Sequence, residues 1–198
     1  MNESCSLRGM DTPAPLFNVF LDFDDVINVE GVQKPKNRAK NAPWEDRFDA
    51  NPVGFHIEDS NRVRYKVSFY PGAIAYFKYL ESIGGNVRWL STWERDTLRF
   101  RHYISSDFAF DYLPWNPWPD NLTRHNADEL RDHAKMDVVK ATTATDGLPF
   151  VWVDDSATRL LDPRDFSVPA LAVRPTKPTG FDRTHASVID AFLASLAR

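Results

Sequence analysis

The chain is poor in the residues that most often declare a function. It has one cysteine, Cys5, so no disulfide can form within it, and that usage fits a reducing compartment, with a cytoplasmic location as the expectation. Of its histidines, His102, His125 and His133 show no zinc-ligand spacing with cysteine. No apolar run reaches the roughly 18 residues of a membrane span. The N-terminus lacks the charged-then-apolar pattern of a secretory signal. There is no excess of positive charge either, since the formal net charge is −4. That removes any global pull toward nucleic acid or an anionic membrane and leaves only local basic patches. Internal repeats and low-complexity tracts are also missing.

What remains is an ordinary globular composition. Of 198 residues 42% are apolar, enough for one domain with a sizeable core. Residues 1–15, with Pro13 and Pro15, read as a flexible leader in which Met10 offers a second candidate start. Residues 16–198 read as one domain. Short apolar segments at 16–21, 87–90, Phe150–Val153 and Ala170–Val173 have the character of strands buried on both faces. Helical spacing lies between them. Pro71 opens a helix with Ile74, Phe77, Leu80 and Ile83 on one face, closed by Gly84-Gly85. Further helices are expected at 94–104, 134–145 and 184–196, the last with Val188, Ile189, Phe192, Leu193 and Leu196 on one face. This alternation predicts an α/β, three-layer, Rossmann-like parallel sheet flanked by helices.

Two regions break the rhythm. Residues 29–70 begin as a basic loop carrying Lys34, Lys36, Arg38 and Lys40. They then alternate through 54–58 and 62–69 around Asp59-Ser60-Asn61, the pattern of a β-hairpin. This is a small insertion after the first strand. Residues 113–121 contain Pro-Trp-Asn-Pro-Trp-Pro, a rigid aromatic loop.

The chemistry gathers at strand ends, where open parallel sheets bind ligands. The first strand runs into Asp22, Asp24 and Asp25; the second into Ser91-Thr92-Trp93; the third into Asp154-Asp155-Ser156. Lys135 stands between the last two. Buried carboxylates this close need a cation, and acidic clusters from two strand ends suit Mg²⁺. Each motif alone has an ordinary explanation. Asp-x-Asp can be a solvated turn, Ser91-Thr92 a helix cap, and Lys135 a surface lysine. Trp89, Trp93 and Trp152 have the look of packing residues rather than a base-stacking platform. Trp115 and Trp118 either line a substrate entrance or cover the sheet. It is the ordered series that points to a site.

That series resembles the haloacid-dehalogenase-like phosphohydrolase superfamily, over residues 16–160. Trp-Leu-Ser-Thr-Trp at 89–93, Phe-Val-Trp-Val-Asp-Asp at 150–155 and Pro-Thr-Gly-Phe at 178–181 are similar to the branch found in Swiss-army-knife RNA repair proteins. The resemblance implies an Mg²⁺-dependent phosphatase. Asp22 would be the nucleophile that forms an aspartyl-phosphate, and Asp24 the general acid and base. Ser91 and Lys135 would hold the phosphoryl oxygens, with Thr92 sharing or taking over the role of Ser91. Asp22, the main-chain carbonyl of Asp24, and Asp155 would bind Mg²⁺, with Asp154 orienting a metal water or Lys135. Lys140 is the alternative lysine, and Lys135 is preferred because it precedes the expected helix. Asp25 departs from the pattern, which often has Gly there. Insertions at 29–70 act in the superfamily as caps. Here Lys34 and Lys36, with Lys40 and the hairpin's Arg62, Arg64 and Lys66, would steer a phosphorylated polyanion such as a nucleotide or a nucleic-acid end. The alternative function is a non-catalytic module on the same scaffold that binds nucleic acid or protein.

Overall fold

A computed structural model describes residues 14–28, 53–58, 64–93, 110–116, 123, 126–175 and 180–197, with backbone alone for 53–58 and 64–66. At its centre lies β1 (Phe17–Leu21), in which all five residues are buried. Its side chains alternate between two cores, as the pleat requires. Phe17, Val19 and Leu21 face one layer, where α1 (Pro71–Ser82) contributes Tyr76, Phe77 and Leu80 and α3 (Arg183–Leu196) contributes Ala186 and Ile189. Phe20 faces the other layer, built on Met136 and Val139 of α2 (Ala127–Asp146). β6 (Phe150–Val153) divides in the same way, Val151 and Val153 to the first layer and Phe150 and Trp152 to the second. The three-layer α/β expectation is therefore met.

The sheet is parallel and five-stranded, in the order β5-β4-β1-β6-β7, with β4 at Gly85–Trp89, β5 at Asp111–Tyr112 and β7 at Ala170–Val173. Every neighbouring pair runs parallel. The chain leaves β1 for β4 on one side and later returns to β6 on the other. The crevice beyond the carboxyl end of β1 is the switch point at which such sheets hold ligands. A separate antiparallel pair, β2 (Val53–Glu58) and β3 (Arg64–Phe69), forms the expected hairpin.

The turn from α1 into β4 shows why two glycines stand together. Gly84 has a left-handed φ of 96°. A Cβ on Gly85 would lie 2.7 Å from the Leu80 carbonyl oxygen and 2.8 Å from the Phe17 ring, too close for any side chain.

Several expectations need correction. The first strand starts at Phe17, and Leu16 is 65% exposed. The second lies at Gly85–Trp89 rather than 87–90. β5 was not anticipated, because two residues carry no periodic signal. α2 begins at Ala127 rather than 134; its opening turns are polar, with Asp128 and Glu129 beside the amino end of the helix, where the dipole favours them. In α3, Val188 is 47% exposed while its neighbour Ile189 is fully buried. The buried stripe runs through Ala186 and Ile189, with Phe192 and Leu193 partly buried against the core, and Val188 falls one position outside it. The expected leader up to residue 13, the basic loop with Lys34, Lys36, Arg38 and Lys40, Arg62, the helix at 94–104, Trp118, and Pro178-Thr179 lie outside the described residues, as do the side chains of Arg64 and Lys66. No helix among the described residues is long and apolar enough to cross a membrane.

Candidate active site

β1 delivers the first carboxylate. The ladder continues one residue past the strand, with Asp22 N–H donating to the Val153 carbonyl at 2.9 Å. Pleating then sends Phe23 into the core, fully buried and edge-on to Trp89 and Trp93 at 5.8 and 5.6 Å. Asp22, on the opposite pleat, is buried on the side of α2. One tight turn follows, closed by Ile27 and Asn28 N–H groups on the Phe23 carbonyl. Inside it Asp25 has a φ of 56°. A left-handed backbone favours glycine and tolerates Asp, so the departure at Asp25 meets a backbone demand with the next most permissive kind of residue. The Asp25 N–H donates to the Asn28 carbonyl at 2.9 Å, and Phe181 N–H ties Val26 to the C-terminal segment.

The opposing lysine comes from the middle of α2. Lys135 is 3% exposed, and its Nζ donates to Asp22 Oδ2 at 2.8 Å and to Asp154 Oδ2 at 2.6 Å. The reason for preferring Lys135, that it precedes the helix, is thus overturned: it sits within the helix, on the face turned to the sheet. Lys140 is exposed and lies 3.4 Å from Asp165.

Asp154 is fully buried and heavily bonded. Its Oδ1 accepts from the Ser156 and Ala157 N–H groups at 2.9 and 2.7 Å, while Oδ2 takes Lys135. Its carbonyl accepts from Thr158 Oγ1 at 2.8 Å. A second tier stands behind it, where Ser156 Oγ donates to buried Asp132 and Arg159 lies 2.8 Å from the other Asp132 oxygen. Burial pushes the Asp132 carboxyl up, and these two partners pull it back. Asp155 is half-buried, and its carbonyl accepts from Arg174 Nε at 2.7 Å.

Carboxylate oxygens of Asp22, Asp154 and Asp155 lie within 4.8 Å of one another. Among the described residues, Lys135 is the cation bonded to the two buried carboxylates, Asp22 and Asp154, while the Arg174 guanidinium stands at the Asp155 carbonyl. Burial, only partly offset by Lys135 and reinforced by Asp154, pushes the Asp22 carboxyl up to about 7. For Lys135, burial alone would pull the ammonium down, yet Asp22 and Asp154 overcome it and hold the group above the usual lysine range. The clustered hard oxygen donors could hold a divalent cation. Asp155 is the most solvent-accessible of the three, whereas Asp22 takes the Phe23 N–H and Lys135, and Asp154 takes Lys135 and the Ser156 and Ala157 N–H groups.

Of the other residues anticipated, Ser91 is 1% exposed, its hydroxyl accepts from the Trp93 N–H at 3.4 Å and is near enough to Asp22 to pull that carboxyl down slightly, whereas Thr92 is exposed. The Asp24 carboxylate stands apart from the acidic cluster. Its Oδ1 accepts from Asn28 Nδ2 at 3.0 Å and its Oδ2 from Trp93 Nε1 at 2.7 Å. Trp89 and Trp152 are core residues, as expected. Trp115 is half-buried; its indole N–H donates to the Ser91 carbonyl at 3.1 Å and its ring lies 5.9 Å from Lys135 Nζ. Asn28, Ser156, Asp132 and these tryptophan bonds were not anticipated, because single polar or indole groups carry no spacing signal. Comparison with family models, curated proteins and solved structures found no match to this chain.

Proposed function

We propose that the chain is an Mg²⁺-dependent phosphomonoester hydrolase of the haloacid-dehalogenase-like type, working through an aspartyl-phosphate on Asp22. One observation carries the reading: Lys135 Nζ bridges Asp22 and Asp154. Ser91 beside Asp22, and Asp24 two residues on, fill out the set. A bound divalent cation, held by Asp22 and Asp155 with the Asp24 carbonyl that the resemblance adds, supplies charge neutralisation at the nucleophile and the phosphoryl group.

The protein's own residues do the rest. An Asp22 oxygen forms a bond to phosphorus as the bond from phosphorus to the ester oxygen breaks, and Asp24 gives that oxygen its proton so that an alcohol leaves. Asp24, now a carboxylate, takes a proton from water as the water oxygen bonds phosphorus and the bond to Asp22 breaks. Inorganic phosphate leaves, and both aspartates return to their starting forms. Lys135 has three N–H groups, of which two serve Asp22 and Asp154. The third, with the Ser91 hydroxyl, is suited to the phosphoryl oxygens as charge moves onto them. Trp115 holds the Ser91 carbonyl and so steadies that loop.

The substrate class we favour is a nucleotide or a phosphorylated nucleic-acid end, drawn in by Lys34, Lys36 and Lys40 of the insertion. The test is hydrolysis of a chromogenic phosphate ester with Mg²⁺. Wild type should turn over and Asp22→Asn should fall to background. A wild type inert toward every ester would defeat the proposal.

A further inference from the structure

We infer that Asn28 and Trp93 form a donor-only clamp that aims the proton of Asp24, and that the hairpin sets one jaw of it. The inference rests on the phosphatase reading, in which Asp24 is the general acid. The geometry is specific. Each oxygen of the Asp24 carboxylate takes one N–H, from Asn28 Nδ2 at 3.0 Å and from Trp93 Nε1 at 2.7 Å. The two donors come from different elements, the turn after β1 and the loop after β4.

The chemistry of the donors matters as much as their position. An indole N–H can only donate. A carboxamide can donate or accept, depending on which end faces its partner. Here the Asn28 oxygen is taken by the main-chain N–H of Ser68 in β3, at 3.1 Å. That bond turns the Asn28 amino group toward Asp24. Neither partner can then accept a proton from Asp24. When Asp24 is protonated, the proton must occupy a lone pair that the clamp leaves over, outside the protein's own hydrogen bonds. It is thereby kept for the leaving oxygen.

Both jaws are themselves braced. The Asn28 backbone closes the turn through its N–H on the Phe23 carbonyl and its carbonyl under Asp25 N–H. The Trp93 ring packs edge-on to Phe23, at an interplanar angle of 71°. Asn28 also links the insertion to the acid, since Ser68 belongs to the hairpin. Asn28 and Trp93 are positioning residues; neither is assigned contact with substrate.

The readout is leaving-group dependence. An alkyl phosphate needs its leaving oxygen protonated, and 2,4-dinitrophenyl phosphate does not. kcat/KM for both esters, with Mg²⁺, is compared in wild type, Trp93→Phe and Asn28→Ala. Trp93→Phe keeps an aromatic ring beside Phe23 and removes the N–H with part of the indole, so the test survives an Asn28→Ala variant that folds poorly. We expect the ratio of alkyl to dinitrophenyl kcat/KM to drop by about 10- to 100-fold in each variant. Equal losses on both esters, or no loss, overturn the clamp while leaving the phosphatase reading intact. A wild type inert toward both esters removes that reading and the clamp together.

Discussion

The central strands carry a polar cluster at each end, and the two differ in how deeply their charges are buried. Near their amino ends, fully buried Asn18 donates to Asp146 at 2.9 Å and accepts from Asn86 and Arg88. The Arg88 guanidinium lies 4.0 Å from the exposed Asp146 carboxylate and also feels Asp111. At the carboxyl ends, the Lys135 ammonium bridges the buried Asp22 and Asp154 carboxylates, with an Asp155 oxygen within 4.8 Å of theirs. A charge that reaches water is screened there. A buried excess of carboxylate is stable only if its pKa values move or a cation arrives. Both clusters sit on the same strands, so strand burial alone does not make the difference. The burial of excess carboxylate does, and it is at this end that we place the proposed function.

The largest effect expected is on Asp22. Beyond the loss of turnover, Asp22→Asn should change how stability depends on pH in the metal-free chain. The folded Asp22 carboxyl is raised to about 7 from an ordinary 3.8. Between those values the unfolded chain has released a proton that the folded chain retains, so this contribution is full below about 4 and is lost as pH rises through 7. Unfolding free energy in EDTA, from denaturant titration between pH 4 and 8, should fall less steeply in Asp22→Asn than in wild type, a difference on the order of a few kcal/mol. Parallel curves would contradict the charge imbalance.

Lys135→Met comes next. It leaves two buried carboxylates without their ammonium and should cost about 3–5 kcal/mol at neutral pH. Denaturant titration should find the cost smaller at pH 4, where the carboxylates can take protons. A cost independent of pH would mean that packing, not charge, is what the lysine supplies.

The opposite end gives a smaller effect of another kind. Asn18→Val strands the Asn86, Arg88 and Asp146 partners and should lower stability by about 1–3 kcal/mol. The kcat/KM for a phosphate ester should stay at the wild-type value. A selective loss of activity would erase the distinction between the two clusters.

How much of this was legible in the sequence follows from where each signal lives. Buried strands such as Phe150–Val153 show in a run of apolar residues, and Ala170–Val173 matched its expected bounds. The carboxylates at strand ends were legible because apolar runs rarely stop in paired acids. Lys135 was picked out by its place in the series, while the helix around it was misjudged, because the turns from Ala127 are polar and carry no apolar stripe. Asp25 could not be understood without its φ. Trp93 and Asn28 were opaque for a different reason: their meaning is a hydrogen bond to Asp24, and Asn28 gains its orientation from Ser68, 40 positions away.

The measurement that bears most directly on the unbalanced cluster is calorimetric titration of the metal-free protein with MgCl₂, alongside Asp155→Asn. Asp155 is the right residue to change, because it is only half-buried, whereas Asp22 and Asp154 are buried and hold Lys135. Wild type should bind one Mg²⁺ and melt at a higher temperature with it, and Asp155→Asn should lose both the binding heat and the shift. A wild type with no Mg²⁺ heat and no change in melting temperature would contradict the claim that these carboxylates are arranged for a cation.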